Sequence, residues 1–338
     1  MPARIIKAAG LALSLSLGAV GAEAQEQQKT TGTNLDRGVM PARLLTPDDT
    51  LGTLLGTPAF AGFASLILPW DGRTYDPAMP LREIGSLLPY HSHVDPGSVV
   101  AGLNHMFADA EKGNRIFYDI WSEADRQADL SKQNTGLFFF RGTSDAPFAV
   151  IAPGGGFAYV GAVHEGFPYA AAISDAGLNA FVIRYRTGQG GRAATEDLAA
   201  ALSFIFRNAA GLGVSTAGYS LWGSSAGARM AASIGSHGAA AFGGDRLPKP
   251  AAVIMAYTAH SDLSHDEPPT FVAVGEQDSI APAEIMARRA AALRAKGTEV
   301  EFHRFPKIDH GFGPGIGTSA EGWLSDAISF WRRKISKQ

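Results

Sequence analysis

The stretch YSLWGSSAGARMAASIG sets Gly223, Ser225 and Gly227 in a G-x-S-x-G arrangement between a β-type run (219–223) and a helical pattern (226–235). A serine on a tight strand-to-helix turn is held clear of the backbone, and the positions two before and two after it must be small. Ser224 does not meet that spacing, so Ser225 is the candidate nucleophile. In a chain with 40 glycines the same letters also arise as a plain glycine-rich turn. The flanking strand and helix favour the nucleophile.

A serine hydroxyl attacks poorly near neutral pH, so it needs a base, and the base needs an acid that fixes its tautomer. For a nucleophile on such a turn the chain order is serine, acid, histidine. His260, His265, His303 and His310 lie far enough past Ser225 for an acid to come between. His310 in PKIDHGFG and Asp278 in TFVAVGEQDSIAP each fall in a loop just past a predicted strand, where the active-site groups of parallel sheets gather. His303, in phase with Glu301 within VEFHRF, reads as a surface residue. Glu276 and Asp309 compete as acids; Asp309 adjoins His310 and is poorly placed to face its ring, so Asp278 is preferred. Donors for an oxyanion are expected from PGGGF (153–157), after the run FAVIA, and the amides of Gly155, Gly156 and Ala226 are assigned to it. One such donor is worth about 3–4 kcal/mol of barrier. Phosphate cradling is the rival reading, but the run lacks both GxGxxG spacing and a GK[ST] ending.

These residues need a sheet to hold them. From about residue 114, short β-branched or aromatic runs alternate with helical patterns, which predicts a mostly parallel eight-stranded sheet covered by helices on both faces. The strand candidates are RIFYDIW (115–121), GLFFF (136–140), FAVIA (148–152), AFVIRY (180–185), YSLWG (219–223), AAVIMAY (251–257), TFVAVG (270–275) and VEFHRF. Helices are expected over 163–176, 195–210, 226–235, 282–297 and 319–334, with Thr195 as one start signal and Pro282 and Gly297 as the ends of another. Residues 37–112, rich in Leu, Pro and Gly, break this rhythm and form an amino-terminal extension or partial cap to a catalytic domain at 113–338.

Arg4 and Lys7 precede an apolar run from Ala8 to Val20 that ends in small residues, the pattern of a signal peptide cleaved after Ala24 and hence of a periplasmic or secreted protein. The run is too short and too broken for a membrane anchor, and residues 25–36 read as a disordered leader. Basic and acidic residues number 29 and 32, with no block of one sign, so neither nucleic acid nor stable membrane insertion is expected. The absence of cysteine excludes disulfides, a thiol nucleophile and cysteine metal sites. His91 and His93 in PYHSHVD look like a metal pair, but no third ligand is near in sequence.

With PGGGF, GSSAG, GEQD and DHGF in that order, and the segment HEGFPYAAAISDAGLNAFVIRYR, the chain from about 114 onward resembles the α/β-hydrolase superfamily, especially its esterase and acetyl-xylan-esterase-like members. The resemblance implies ester hydrolysis through an acyl-enzyme, without metal or organic cofactor, on a small-molecule or carbohydrate ester. Many such esterases have His before the glycines; Pro153 here departs from the hormone-sensitive-lipase branch. Only TAHSDLSHDEPP separates two strands where many relatives insert a helical lid, which favours accessible, short-chain or sugar-borne esters. His164 and Glu165 read as a partly exposed histidine and a helix-start acid, although they could line the pocket. A serine peptidase of prolyl-oligopeptidase type is the alternative, with no propeller domain visible, and an inactive binding scaffold is the third reading. The oligomeric state is not legible.

Overall fold

The computed structural model describes residues 43–336; the expected signal peptide (1–24) and leader (25–36) lie outside them. Aromatic and β-branched side chains suit a pleated surface buried on both sides, and the runs that carry them make the sheet. Its strands are β1 (Phe117–Tyr118), β2 (Gly136–Phe140), β3 (Pro147–Ala152), β4 (Asn179–Arg184), β5 (Ser215–Ser224), β6 (Ala252–Ala256), β7 (Thr270–Gly275) and β8 (Val300–Phe305). They lie side by side in the order β1-β2-β4-β3-β5-β6-β7-β8. β2 is antiparallel to both its neighbours, and every pairing from β4 across to β8 is parallel. The eight strands are those read from the sequence, but the run at 115–121 contributes only two residues: its ladder to β2 holds the pairs Phe117↔Phe138 and Tyr118↔Leu137.

The helices are α1 (Leu51–Leu55), α2 (Ala64–Ile67), α3 (Pro96–Glu111), α4 (Glu123–Ala128), α5 (Phe167–Asp175), α6 (Gly190–Leu212), α7 (Ala226–His237), α8 (Ala283–Ala295) and α9 (Trp323–Ile335). β5 shows how they divide. Successive side chains on a strand point to opposite faces; Trp222 meets Trp331 of α9, while Tyr219 meets Phe206 of α6. Hence α5 and α9, which pack on each other, cover one face, and α6 with α7 cover the other.

Three helix starts differ from expectation, one of them that of α9, which begins at Trp323 and not at 319. α6 begins five residues before Thr195, whose hydroxyl donates to the Gly191 carbonyl at 2.7 Å inside the helix instead of capping it. The first turns are fixed instead by Asp197, which accepts from the backbone N–H of Arg186 at 2.7 Å, just past β4. Before α5, residues Ala162–Gly166 form a single π turn, a distortion that often marks a functional position.

Residues from Leu44 onward form one compact unit. Leu51, Leu54, Phe60, Ile67, Leu81, Ile84 and Leu87 of the extension join the same hydrophobic cluster as the sheet. α3 lies so close to α5 that a Cβ on Gly102 would stand 2.9 Å from the Cβ of Phe167.

Candidate active site

Ser225 sits between the end of β5 and the start of α7, with φ 50° and ψ −117°. Only a tight surrounding structure holds a non-glycine residue there. Two glycines make the turn possible: a Cβ on Gly227 would run into the carbonyl of Ala152 at the end of β3, and one on Gly223 into the backbone of Gly227. The Ser225 N–H donates to the Ala256 carbonyl of β6 at 2.9 Å. Ser224 is buried, and its hydroxyl donates to the Tyr169 hydroxyl at 3.2 Å. The outward-facing hydroxyl is that of Ser225.

Three segments meet there. The loop after β8 brings His310 Nε2 to 2.8 Å from Ser225 Oγ, and the loop after β7 brings Asp278 Oδ2 to 2.8 Å from His310 Nδ1. The carboxylate can only accept, so Nδ1 carries the proton and Nε2 is free to accept from the serine hydroxyl. Asp278 is 7 % exposed and His310 3 %. Asp278 Oδ1 also accepts the backbone N–H groups of Ile280 and Ala281, at 3.0 and 2.6 Å, which fixes the carboxylate before it meets the ring. The competing acids face elsewhere: Asp309 accepts from Ser279 and from the His310 backbone, and Glu276 pairs with Arg304. His303 is half-buried and stacks on Phe271. The structure thus brings Ser225, Asp278 and His310 together.

The loop after β3 runs beside the serine, close enough that a Cβ on Gly154 would stand 2.9 Å from the Cβ of Ser225. Gly155 and Gly156 have φ of 129° and 63°, conformations that suit glycine alone. The Tyr185 hydroxyl donates to the Pro153 carbonyl at 2.8 Å, and Gly161 N–H to the Gly154 carbonyl at 2.9 Å. Among the described residues the N–H groups of Gly155, Gly156 and Ala226 have no acceptor.

Beneath this loop lies a buried network that the sequence did not disclose. His164 and Glu165, expected to be a partly exposed histidine and a helix-start acid, are both 0 % exposed. The π turn points them inward. Glu165 Oε2 accepts the Gly154 N–H, while Oε1 accepts the Tyr257 hydroxyl at 2.8 Å and His91 Nε2 at 2.9 Å. The direction of the bonds around Tyr257 follows from a carboxylate that only accepts. His91 donates from Nε2, and its Nδ1 lies 3.0 Å from the Tyr159 hydroxyl. Tyr257 donates to Glu165, so its oxygen accepts from the Tyr169 hydroxyl at 2.9 Å and the Gly313 N–H at 3.2 Å. Burial works to raise the Glu165 pKa, but His91, by charge and hydrogen bond, outweighs it and holds the carboxyl below its usual range. His164 is pushed down to about 3 by burial and by His91, so it is neutral, and its Nε2 donates to the Gly311 carbonyl at 3.1 Å. Tyr257 also packs edge-on against the His310 ring. One carboxylate therefore links the glycine loop, the segment after β6, the loop carrying His310 and the extension.

The extension reaches the rim as well. Tyr90 stacks on Tyr159 and lies against Gly156, and the Ser92 N–H donates to the His310 carbonyl at 3.0 Å. Between β6 and β7, residues 257–269 contain no helix. Among the described residues no group of three or more His, Cys, Asp or Glu is placed to hold a metal; His93 donates to the Ile316 carbonyl instead. A cleft of about 440 Å³ opens between α6, α7 and Phe157 of the glycine loop, with Arg229, one helical turn after Ser225, among its walls. A roomier groove of about 740 Å³ lies between α3, α5 and α9, and neither it nor the cleft is lined by Ser225, Asp278 or His310.

The prolyl oligopeptidase family model matches residues 241–338. No curated relative matches the chain. Among solved structures, an acetyl ester-xyloside bifunctional hydrolase from Caldicellulosiruptor lactoaceticus is similar with a TM-score of 0.56 and 20 % identity, covering 64 % of this chain and 95 % of its own. An α/β hydrolase from a Medee basin deep-sea metagenome library gives 0.51 and 22 %, covering 60 % and 93 %. A thermophilic esterase of Thermogutta terrifontis with propionate bound gives 0.53 and 20 %, covering 59 % and 89 %. The fold is that of the α/β hydrolases.

Proposed function

We propose that this chain is a serine hydrolase of carboxylic esters that works through an acyl-enzyme on Ser225. The observation that carries the reading is the continuous relay Asp278–His310–Ser225, closed by two 2.8 Å hydrogen bonds, beside three backbone N–H groups with no acceptor among the described residues. Ser225 Oγ bonds to the ester carbonyl carbon as its proton passes to His310 Nε2. The carbonyl electron pair moves onto oxygen, which the amides of Gly155, Gly156 and Ala226 stabilise. Asp278 stays ionised and balances the imidazolium. Collapse of the intermediate breaks the bond to the alcohol, which leaves with the proton from His310. Water then attacks the acyl-enzyme by the same route and frees the acid. No step calls for a metal or an organic cofactor.

The substrate class we favour is a short acyl group on a small alcohol or a sugar. Support comes from the helix-free connection between β6 and β7 and from the acetyl ester-xyloside hydrolase among the structural neighbours. The match of residues 241–338 to the prolyl oligopeptidase family favours one second reading, peptide hydrolysis by the same relay. Labelling by a fluorophosphonate probe, lost in Ser225→Ala, tests for an activated serine against an inactive scaffold. Activity on p-nitrophenyl acetate with none on aminoacyl p-nitroanilides supports the ester reading, and the reverse result replaces it. Export belongs to the same proposal and rests on Arg4, Lys7 and the apolar run that follows; a mature protein whose first residue is Gln25 is the expected result of intact-mass analysis. Among the described residues no helix is long and apolar enough to cross a membrane.

A further inference from the structure

The cleft of about 440 Å³ between α6, α7 and Phe157 carries a charge pattern that hydrolysis of a neutral ester does not require. Phe157, Arg192, Arg229, Met230, Phe242 and His260 are among its walls, and none of the residues lining it is acidic, although the protein as a whole is slightly acidic. Its size falls within the range that holds a small-molecule ligand.

Arg229 lies one helical turn after Ser225, and its N–H donates to the Ser225 carbonyl at 3.4 Å. A helical side chain leans back over the turn that precedes it, which for Arg229, an exposed residue, is the turn that starts at Ser225. Among the described residues the side chain of Arg229 has neither an ion-pair nor a hydrogen-bond partner. Arg192, in the first turn of α6, borders the same cleft; it pairs with Glu196 at 3.1 Å and lies over the Phe242 ring. His260 brings no compensating negative charge. It is 7 % exposed, its Nε2 has no hydrogen-bond partner, and burial together with Arg289 and Arg229 pushes its pKa down to about 4. Phe157 directly follows Gly156, so a carbonyl held at the glycine-loop amides has the cleft within a few bonds of it.

We propose that this cleft is an anion subsite, and that the preferred substrate is an ester carrying a carboxylate close to the scissile bond, received by Arg229 with Arg192 beside it. The apolar walls accommodate the carbon skeleton between the ester and the charge, and the unpaired guanidinium gains a bidentate partner of the kind carboxylates supply. The inference rests on the hydrolase reading for the ester bond but not for the anion.

The test therefore has two arms. Two charged esters are compared with neutral counterparts: para-acetoxybenzoate with its methyl ester, for charge on the alcohol half, and the mono-p-nitrophenyl ester of succinic acid with p-nitrophenyl butyrate, for charge on the acyl half. In at least one pair the charged ester is expected to have the higher kcat/KM. That preference should fall about tenfold in Arg229→Ala, the size expected for one charge-assisted contact at a half-open site. In the binding arm, calorimetry with the Ser225→Ala protein should show para-acetoxybenzoate binding more tightly than its methyl ester, a difference removed by a further Arg229→Ala change and weakened by salt. Equal binding of the two ligands to Ser225→Ala, or a preference that survives both Arg229→Ala and Arg192→Ala, overturns the subsite. Charge-dependent binding without turnover of any ester overturns the hydrolase reading and leaves the subsite standing.

Discussion

Replacing Glu165 with alanine removes a fully buried carboxylate whose two oxygens serve three donors: the Gly154 N–H, the Tyr257 hydroxyl and His91 Nε2. Each donor left without a partner costs about 1–3 kcal/mol, and relaxation of the emptied site brings the total to about 3–5 kcal/mol, as for other broken buried pairs. For a chain of this size that is a fall of about 10 °C in Tm. The effect on chemistry is separable from stability. Gly154 is the inner hinge of the loop whose next two amides are the proposed oxyanion donors, and losing one such donor typically lowers kcat by about 100- to 1000-fold. Tyr257, released at the same time, bears on His310. We therefore expect Glu165→Ala to lower kcat on p-nitrophenyl acetate by about 100-fold while KM changes by less than about threefold, because a misplaced donor weakens the transition state more than the ground state. Concentrations are normalised by fluorophosphonate titration, so a smaller folded fraction does not pass for slower chemistry. In Glu165→Gln the amide oxygen still accepts from Gly154, while the amide nitrogen meets Nε2 of His91 in its other tautomer; its loss should be about tenfold or less. A folded Glu165→Ala protein whose kcat per titrated site stays within about threefold of wild type would refute the linkage between this carboxylate and the oxyanion loop.

Ser225→Ala should abolish probe labelling, and Asp278→Asn should cut kcat by about 10⁴-fold with the protein still folded, since the amide favours the wrong tautomer of His310. Gly227→Ala drives a methyl group into the Ala152 carbonyl; we expect a Tm lower by about 5 °C or more, or no soluble protein, and an unchanged melting curve would show that the turn has room to yield. Acid should destabilise the fold well before most carboxylates titrate. His164 and His260 are held neutral in the folded chain, with values of about 3 and about 4 against 6.5 when unfolded. Below pH 6.5 the unfolded chain binds more protons, so stability falls as pH drops, by up to about 1.4 kcal/mol per pH unit for each histidine, until the folded values are reached. Glu165, depressed when folded, adds a loss of the same sign below pH 4.5. Denaturant midpoints between pH 7 and 4 measure this, and a flat profile would count against neutral buried histidines.

The three grouped residues were legible because each follows a strand whose pattern is local. β5, β7 and β8 end where apolar alternation gives way to Gly, Asp or Pro, and the sheet then converges the loops that follow. Helix starts were less legible, as at Thr195, where a hydroxyl that could have capped α6 bonds back to Gly191 instead. Glu165 was misread for a deeper reason. A lone acid before an apolar helix is ordinarily solvated, and nothing nearby discloses that partners 74 and 92 residues away, His91 and Tyr257, will close over it. The one local hint was the Gly-rich approach to α5, where the chain takes a π turn. The same distance hid the part that residues 37–112 take at the site, because Tyr90, His91 and Ser92 reach it only through the fold.

The contact between His91 and Glu165 also bears on how this protein can be taken apart. Cut at residue 113, the chain would keep every strand of its sheet and all of its reacting groups, and would look like a minimal enzyme. It would also keep an acid in its interior stripped of a proton donor, with Tyr159 and the glycine loop open to water where Tyr90 had covered them. The hydrolase scaffold here is not a portable cassette: its smallest transferable piece begins ahead of the extension, and grafts or chimeras joined after α3 inherit a site whose foundation stayed behind.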